Sequence, residues 1–152
     1  MNAHRKLLII ALLATAVTLF GCDSSGTSTS TTAASTAPSA DDGKGPASID
    51  HGGITSVSTD AEFVNKGEAL YLAKGCSACH QMDQRVVGPP LRGVTKKRAP
   101  EWLARMLLNP EQMVKEDPIA KQLLDEYKTP MPGANLTPDE AKAIIAYIGS
   151  QQ

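Results

Sequence analysis

The strongest constraint in this sequence is one short motif, Cys-Ser-Ala-Cys-His, at residues 76–80. It places two thiols close together and an imidazole directly after the second thiol. The chain has three cysteines, and the third, Cys22, lies far from the motif near the amino terminus. An odd number of cysteines does not suggest a framework of disulfides. We therefore expect the close pair and the lone cysteine to have separate roles.

Three kinds of site contain a Cys-x-x-Cys pair. A thioredoxin-like redox pair requires strands, and no alternating apolar pattern of useful length predicts one here. Half of a zinc site requires a second pair of Cys or His, which residues 61–152 do not supply. With His80 directly after the pair, the motif is the attachment signature of c-type haem. The sequence thus predicts one covalently attached haem c, with Cys76 and Cys79 forming thioethers to its vinyl groups and His80 facing the iron.

The rest of this region predicts helices. Polar residues followed by proline mark helix starts, and Thr137 with Glu140 forms a capping box. The predicted helices run from Ala61 to about Lys74, from Pro100 to Asn109, from Asp117 to about Tyr127, and from Thr137 through Ile148. One Trp, three Tyr and two Phe make a thin apolar core, and such a core usually depends on a cofactor, a metal or a disulfide. The predicted fold class is all-α.

Residues 61–152 resemble a class I cytochrome c domain. Gly67 and Tyr71, on the first predicted helix, match the positions at which that family's first helix crosses its last. Ile144 and Tyr147 match the partners on the last helix. The resemblance implies a small class I cytochrome c fold wrapped around one haem.

A second segment carries the same resemblance. Residues 88–91, Gly-Pro-Pro-Leu, resemble the Gly-Pro-x-Leu segment of the family, in which the proline carbonyl accepts a hydrogen bond from the iron-binding imidazole. The resemblance implies that Pro89 orients His80 and raises its basicity. An ordinary turn is the alternative, although the segment follows soon after the haem-attachment histidine.

The sixth iron ligand must come from a more distant part of the chain. Met82 is too close to His80 in sequence to reach the opposite face of the porphyrin. Met106 lies at helical spacing among apolar residues, where Met usually fills a core, and Met113 lies in a polar stretch interpreted as a loop. Met131 stands between two prolines in a stiff segment that resembles the methionine loop of the family. We expect Met131 to be the ligand, with the other three as alternatives.

Coordination by His80 and Met131 predicts what the iron does. A thioether is a soft ligand that favours the ferrous state, and His/Met coordination raises the reduction potential compared with His/His. With both axial positions filled, no site is open to oxygen or peroxide. The sequence therefore predicts an electron carrier and not an enzyme.

The amino terminus predicts export and a lipid anchor. Arg5 and Lys6 precede an apolar run over residues 7–20, which is the layout of an export signal. The alternative is a transmembrane helix, but this run reaches only about 21 Å, less than a hydrocarbon core of roughly 30 Å. Residues 19–22 resemble the lipobox of bacterial lipoproteins, which implies lipidation of Cys22. A free thiol is the alternative.

Residues 23–60 are rich in Ser, Thr, Ala, Gly and Asp. A chain of this composition buries too little apolar surface to fold, so we predict a disordered tether. The predicted organisation is a signal peptide over residues 1–21, the lipidated cysteine with its tether over residues 22–60, and a cytochrome c domain over residues 61–152.

Two further features leave alternatives open. Arg92, Lys96, Lys97 and Arg98 form either a positive rim near the haem or an ordinary solvated surface. Trp102 belongs to the core or to the haem pocket, where a hydrogen bond to a propionate is possible. The net charge of −1 gives no reason to expect nucleic acid as a partner.

These features predict a carrier that is lipid-anchored to the membrane on its periplasmic or other extracytoplasmic face. It would pass single electrons from a quinol-oxidising complex to a terminal oxidase or reductase. One alternative is the fixed cytochrome subunit of a larger oxidoreductase. The other is a haem-based sensor that releases Met131 and binds a small ligand.

Overall fold

Helices make up the regular secondary structure of residues 43–152, the part of the chain that the computed structural model describes. Within this range there are seven helices and no strand: α1 Ala61–Ala73, α2 Cys76–Cys79, α3 Val94–Lys97, α4 Pro100–Leu108, α5 Pro110–Glu116, α6 Pro118–Tyr127 and α7 Pro138–Ser150. The predicted all-α class is confirmed. None of these helices is long and apolar enough to cross a membrane.

The helix starts follow the chemistry that the sequence predicted. The Asp117 carboxylate accepts a hydrogen bond from the backbone N–H of Ala120 at 2.7 Å, which caps α6. Thr137 and Glu140 form the predicted reciprocal capping box at the start of α7. Proline occupies the first helical position of both helices, where its missing N–H costs no hydrogen bond.

One prediction about the middle of the chain was wrong. The stretch around Met113 was interpreted as a polar loop, but it forms α5, and Met113 is fully buried. Pro110 ends α4 and also occupies the first position of α5, so the chain bends there and continues as a helix. The polar residues of α5 lie on its outer face, which made the segment look like a loop.

The first and last helices cross where the resemblance implied. Gly67 of α1 is buried against α7, and a Cβ atom there would lie 2.0 Å from the carbonyl oxygen of Ala143. Only glycine permits this approach of the two backbones. One turn further along, the rings of Tyr71 and Tyr147 lie 5.4 Å apart between their centroids and extend the contact.

Two apolar clusters form around α4, the first together with α5 and α6 and the second together with α7. The first contains Ile49, Trp102, Met113 and Ala120, with Leu103, Met106, Val114, Ile119 and Leu123 packed against it. The second contains Ile54, Ala104, Ala141 and Ile145. Each cluster includes one isoleucine from the segment before α1.

That segment corrects the predicted domain boundary. Residues 43–59, which we call the strap, were assigned to a disordered tether, but Ile49 is 1% exposed and Ile54 is 4% exposed. A Gly52-Gly53 turn with positive φ at both glycines separates the two isoleucines and brings each into its own cluster. The prediction relied on the overall composition of the segment, in which two isoleucines count for little among many small and polar residues. The folded part of the chain therefore begins before residue 61.

Candidate functional site

Cys76 and Cys79 lie at the two ends of the short helix α2. Gly75, with φ of +75°, turns the chain from α1 into α2, a conformation that glycine adopts without strain. Residues three apart on a helix lie on one side, so the two thiols face the same region. Both are half-buried and unpaired. The local structure thus presents two thiols together, as attachment to one porphyrin requires.

His80 follows as the C-cap of α2 and has an extended backbone. Its ring Nδ1 lies 2.9 Å from the carbonyl oxygen of Pro89, so the hydrogen bond that the resemblance implied is present. A carbonyl can only accept, and therefore Nδ1 carries the proton. This tautomer leaves Nε2 with a free lone pair, the form that binds a metal.

Gly88 sets the distance between the proline segment and the imidazole. A Cβ atom at this position would lie 2.4 Å from Cε1 and 2.8 Å from Nδ1 of His80. Its own N–H donates to the carbonyl of Cys79 at 2.8 Å. The sequence contained the signal, a glycine directly before Pro89, but its contact with the ring was not predicted.

Tyr71 holds the backbone of His80 in place. Its hydroxyl donates to the carbonyl oxygen of His80 at 2.5 Å. Burial, with smaller contributions from Cys76 and Tyr147, raises the pKa of Tyr71 to about 12. The hydroxyl therefore keeps its proton at neutral pH and acts as a donor. Sequence reasoning placed Tyr71 at the helix crossing and missed this second role.

Met131 lies outside any helix, half-buried, in the irregular segment between α6 and α7. Pro130 and Pro132 flank it and restrict the backbone on both sides. Two of the alternative ligands, Met106 and Met113, are engaged in the first apolar cluster. Met131 as the sixth ligand stays a prediction, and the packing of the other two favours it.

The thiols and the imidazole of residues 76–80 fit a c-type haem, with Met131 as the predicted source of the thioether. Two thiols, an imidazole with a fixed tautomer and a thioether are the groups that such a haem requires. A further observation comes from Trp102, which is 3% exposed. Its indole Nε1 is buried and has no acceptor among the described residues. Protein atoms alone cover this N–H, so Trp102 belongs to the core, and the hydrogen bond to a propionate that the sequence left open gains no support.

Of the four charges that the sequence offered as either a positive rim or an ordinary solvated surface, two are engaged by neighbouring residues. Arg92 pairs with Asp83 at 2.5 Å and donates to the carbonyl of Gln151 at 2.6 Å. The hydrogen bond from Arg92 lowers the pKa of the Asp83 carboxyl. Arg98 lies over the ring of Trp102, 5.5 Å from its centroid. Lys96 and Lys97 of α3 are exposed. The signal peptide, Cys22 and the start of the predicted tether lie outside the described residues.

Comparison with protein families identifies the domain. The sequence model of the cytochrome c family matches residues 64–152. Cytochrome c2 of Rhodocyclus tenuis is 38% identical over 81 residues, which are 53% of this chain and 86% of the relative. Cytochrome c-551 of Stutzerimonas stutzeri is 36% identical over 87 residues, which are 54% of this chain and 73% of the relative.

A solved structure agrees with these sequence matches. The cytochrome c of Rhodothermus marinus superposes with a TM-score of 0.59 and is 39% identical. The match covers 62% of this chain and 81% of that structure. The matched family segment, residues 64–152, begins after the strap.

Proposed function

The chain belongs to the cytochrome c family, and we propose that it carries single electrons between membrane-bound respiratory complexes while a lipid anchor holds it at the membrane. As a cytochrome c it has one covalently attached haem c and is an electron carrier rather than an enzyme. Three further points are proposed: which residues hold the haem, that a lipid anchors the chain, and which complexes are its partners.

We assign the haem to Cys76 and Cys79 as thioether donors and to His80 and Met131 as axial ligands. When bound, the haem supplies a reversible change of one electron at its iron. The observation that carries the assignment is the hydrogen bond from His80 Nδ1 to the Pro89 carbonyl. It fixes the tautomer and the direction of the ring before any ligand is bound, and Gly88 and Tyr71 hold the same ring and its backbone in place.

A rigid ligand set suits electron transfer. Pro130 and Pro132 limit the backbone around Met131, and three contacts restrain His80. A ligand set that moves little between oxidation states leaves little to reorganise when an electron arrives or leaves. A sensor, by contrast, must release one axial ligand to admit its own ligand.

Spectroscopy of the purified protein tests this assignment. We expect a sulfur-to-iron charge-transfer band in the oxidised form, a one-electron potentiometric titration, and no binding of carbon monoxide to the reduced form at neutral pH. Rapid carbon monoxide binding without that band would favour the sensor. Purification only as part of a larger complex after solubilisation would favour the fixed subunit.

The anchor is proposed from the sequence of residues 19–22 alone. Cys22→Ser removes the thiol that would be lipidated and leaves the haem domain untouched. We expect this variant in the soluble fraction, with an unchanged haem spectrum, whereas the wild type stays in the membrane pellet after a high-salt wash. A Cys22→Ser protein that stays in the washed pellet would show that a helix or a tight complex holds the chain there.

The proposed partners are a quinol-oxidising complex as donor and a terminal oxidase or reductase as acceptor. Support comes from the electron-carrier family and from the predicted export signal. Membranes that contain both complexes test it, since purified protein should be reduced by quinol through the donor and reoxidised through the acceptor. Inhibiting the donor complex should stop the reduction.

A further inference from the structure

Residues 81–87 form an irregular loop directly after His80, which we call the histidine loop. A backbone hydrogen bond closes the base of this loop, where the N–H of Gly88 donates to the carbonyl oxygen of Cys79 at 2.8 Å. Two more backbone bonds join the start of the loop to the segment after it: Leu91 to Gln81 at 2.9 Å and Arg92 to Met82 at 2.8 Å. The histidine loop is therefore held at its base by the segment that contains His80 and by the segment that contacts its ring.

Arg85, in the middle of this loop, reaches the last turn of α6. Its Nη1 donates to the Glu126 carboxylate and its Nη2 donates to the Glu126 carbonyl oxygen, each at 3.1 Å. The guanidinium carbon Cζ lies 4.0 Å from the centroid of the Tyr127 ring. One side chain thus makes three contacts with the final two residues of α6. Lysine has no planar fork and could not make all three.

The ion pair alone would not make this a firm link. The side chains of Arg85 and Glu126 are 53% and 51% exposed, and ion pairs exposed to this degree contribute little. The bond to the backbone carbonyl matters more, because the last carbonyl groups of a helix lack partners within it and form the negative end of its dipole. A cation that donates to such a carbonyl stabilises the helix end.

The end of α6 is also the base of the segment that carries Met131. The helix ends at Tyr127, Lys128 follows as its C-cap with φ of +57°, and the irregular segment begins directly after it. The two prolines that flank Met131 stiffen this segment. A shift at its base is therefore passed on to Met131 and is not absorbed on the way.

We propose that Arg85 is a positioning residue for the sixth iron ligand, which fastens the end of α6 to the histidine loop and so keeps the thioether of Met131 on the iron of the bound haem. The fastening rests on contacts within the chain alone. Its effect on the iron rests on the proposed function, in which His80 and Met131 are the axial ligands. The two segments that supply these ligands are then joined by a protein contact as well as through the haem.

Imidazole measures how often the thioether leaves the iron, because it binds the oxidised haem only at a free sixth position. At saturating imidazole, the binding rate equals the rate at which the protein ligand leaves. In the full-length, haem-loaded, oxidised protein we expect Arg85→Gln to raise this rate by about fivefold or more, as loss of one hydrogen bond would. Arg85→Lys should resemble Arg85→Gln more than the wild type. An unchanged rate in Arg85→Gln would overturn the proposal.

Lys128→Gln is the matched control. It removes one positive charge from the same helix end, but the ion pair of Lys128 is with Asp125 of α6 and not with the histidine loop. We expect the wild-type rate of imidazole binding in this variant. A rate raised as much as in Arg85→Gln would mean that charge alone matters, and would refute a fastening by Arg85.

Thermal unfolding separates a local fastening from a general loss of stability. The sulfur-to-iron charge-transfer band reports the thioether on the iron, and circular dichroism in the far ultraviolet reports the helices. In Arg85→Gln the band should disappear at a lower temperature than in the wild type, while the midpoint of the helical signal moves little. Equal shifts of both signals would show that Arg85 has no separate effect on the ligand, and would refute the proposal.

Met131→Ala distinguishes failure of this proposal from failure of the proposed function. If the wild type lacks the charge-transfer band, or if Met131→Ala keeps it, the ligand assignment fails and the proposed function fails with it. If the band depends on Met131 but Arg85→Gln behaves as the wild type, only the role of Arg85 is refuted.

Discussion

At the scale of single residues, three contacts hold the imidazole and the backbone of His80 in one position. Pro89 accepts from Nδ1, Tyr71 donates to the backbone carbonyl, and Gly88 lets the proline segment approach the ring. Each contact acts on a different part of His80, so none can replace another. The sequence predicted the first contact through a resemblance. The other two depend on how α1 and residues 88–91 come together, which local sequence does not encode.

Replacing Met131 tests the ligand assignment that the fewest observed contacts support. Met131→Ala should leave the haem covalently attached, because the thiols and His80 are untouched. It should also lower the reduction potential and open the sixth position to added ligands. Optical spectroscopy and potentiometry measure both effects. Met106→Leu is the control, since a substitution of similar volume in the core should change neither. If Met131→Ala keeps the charge-transfer band, another methionine is the ligand.

Tyr71→Phe tests the restraint on the backbone of His80. The variant keeps the ring contact with Tyr147 but leaves a part-buried carbonyl without its donor. We expect the free energy of unfolding to fall by about 1–2 kcal/mol in chemical denaturation. Tyr147→Phe keeps the same ring pair and the bond from Tyr71 to His80, and it should cost less.

The pH dependence of the same variant gives a second check. The pKa of Tyr71 is raised from 10.0 to about 12 in the folded protein, so the folded state holds this proton more tightly than the unfolded state. Its contribution to stability is complete below pH 10.0 and is lost as pH rises through about 12. The wild type should therefore lose stability more steeply over this range than Tyr71→Phe. Equal slopes would contradict the assignment.

At the scale of helices and segments, prediction succeeded where the signal was local. Proline and capping residues gave the starts of α4, α6 and α7, because these signals act within one turn. Prediction failed for α5 and for the strap, whose order depends on distant partners. Ile49 is buried only because α4 and α5 supply Trp102 and Met113 to receive it. A window over residues 43–59 contains neither partner.

At the crossing of α1 and α7, replacing a helical glycine by alanine should destabilise the protein, although this substitution usually stabilises a helix. Alanine is a better helix former than glycine by about 1 kcal/mol, so Gly67→Ala would stabilise an isolated α1. In the protein the new Cβ would meet the backbone of Ala143 at 2.0 Å, which cannot move aside as a side chain could. We expect a net loss of about 1–3 kcal/mol or more. Asn65→Ala, at an exposed position of α1, should be neutral or slightly stabilising. Thermal and chemical unfolding of both variants measure the difference.

At the scale of the whole molecule, the strap shortens the reach that the proposed tether would give the haem domain. The strap is fastened to the core at Ile49 and Ile54, so it does not contribute length to the proposed tether. The tether proposed from composition then spans only residues 23–42. As a flexible chain, about 20 residues would have a root-mean-square span of roughly 22–27 Å. Stretched fully, they would reach roughly 66–72 Å.

A change of tether length separates a shuttling carrier from a fixed subunit. Deleting about 15 residues between positions 23 and 42 would shorten the maximum reach by roughly 50 Å. A shuttle should then lose most of its turnover, since it can no longer visit donor and acceptor in succession. A fixed subunit would keep its turnover, because it needs only enough chain to reach one docking place. The measurement is quinol-driven turnover in membranes that carry each variant.

Two controls make the result specific to length. Shuffling residues 23–42 keeps the length and the composition, so turnover should not change if the segment acts only as a tether. We expect Ile49→Ala with Ile54→Ala to release the strap without changing the chain length, which would lengthen the effective reach at the cost of domain stability. Combined with the deletion, it should restore part of the lost turnover if reach is limiting. Full turnover with the deletion alone would refute the shuttle and favour the fixed subunit.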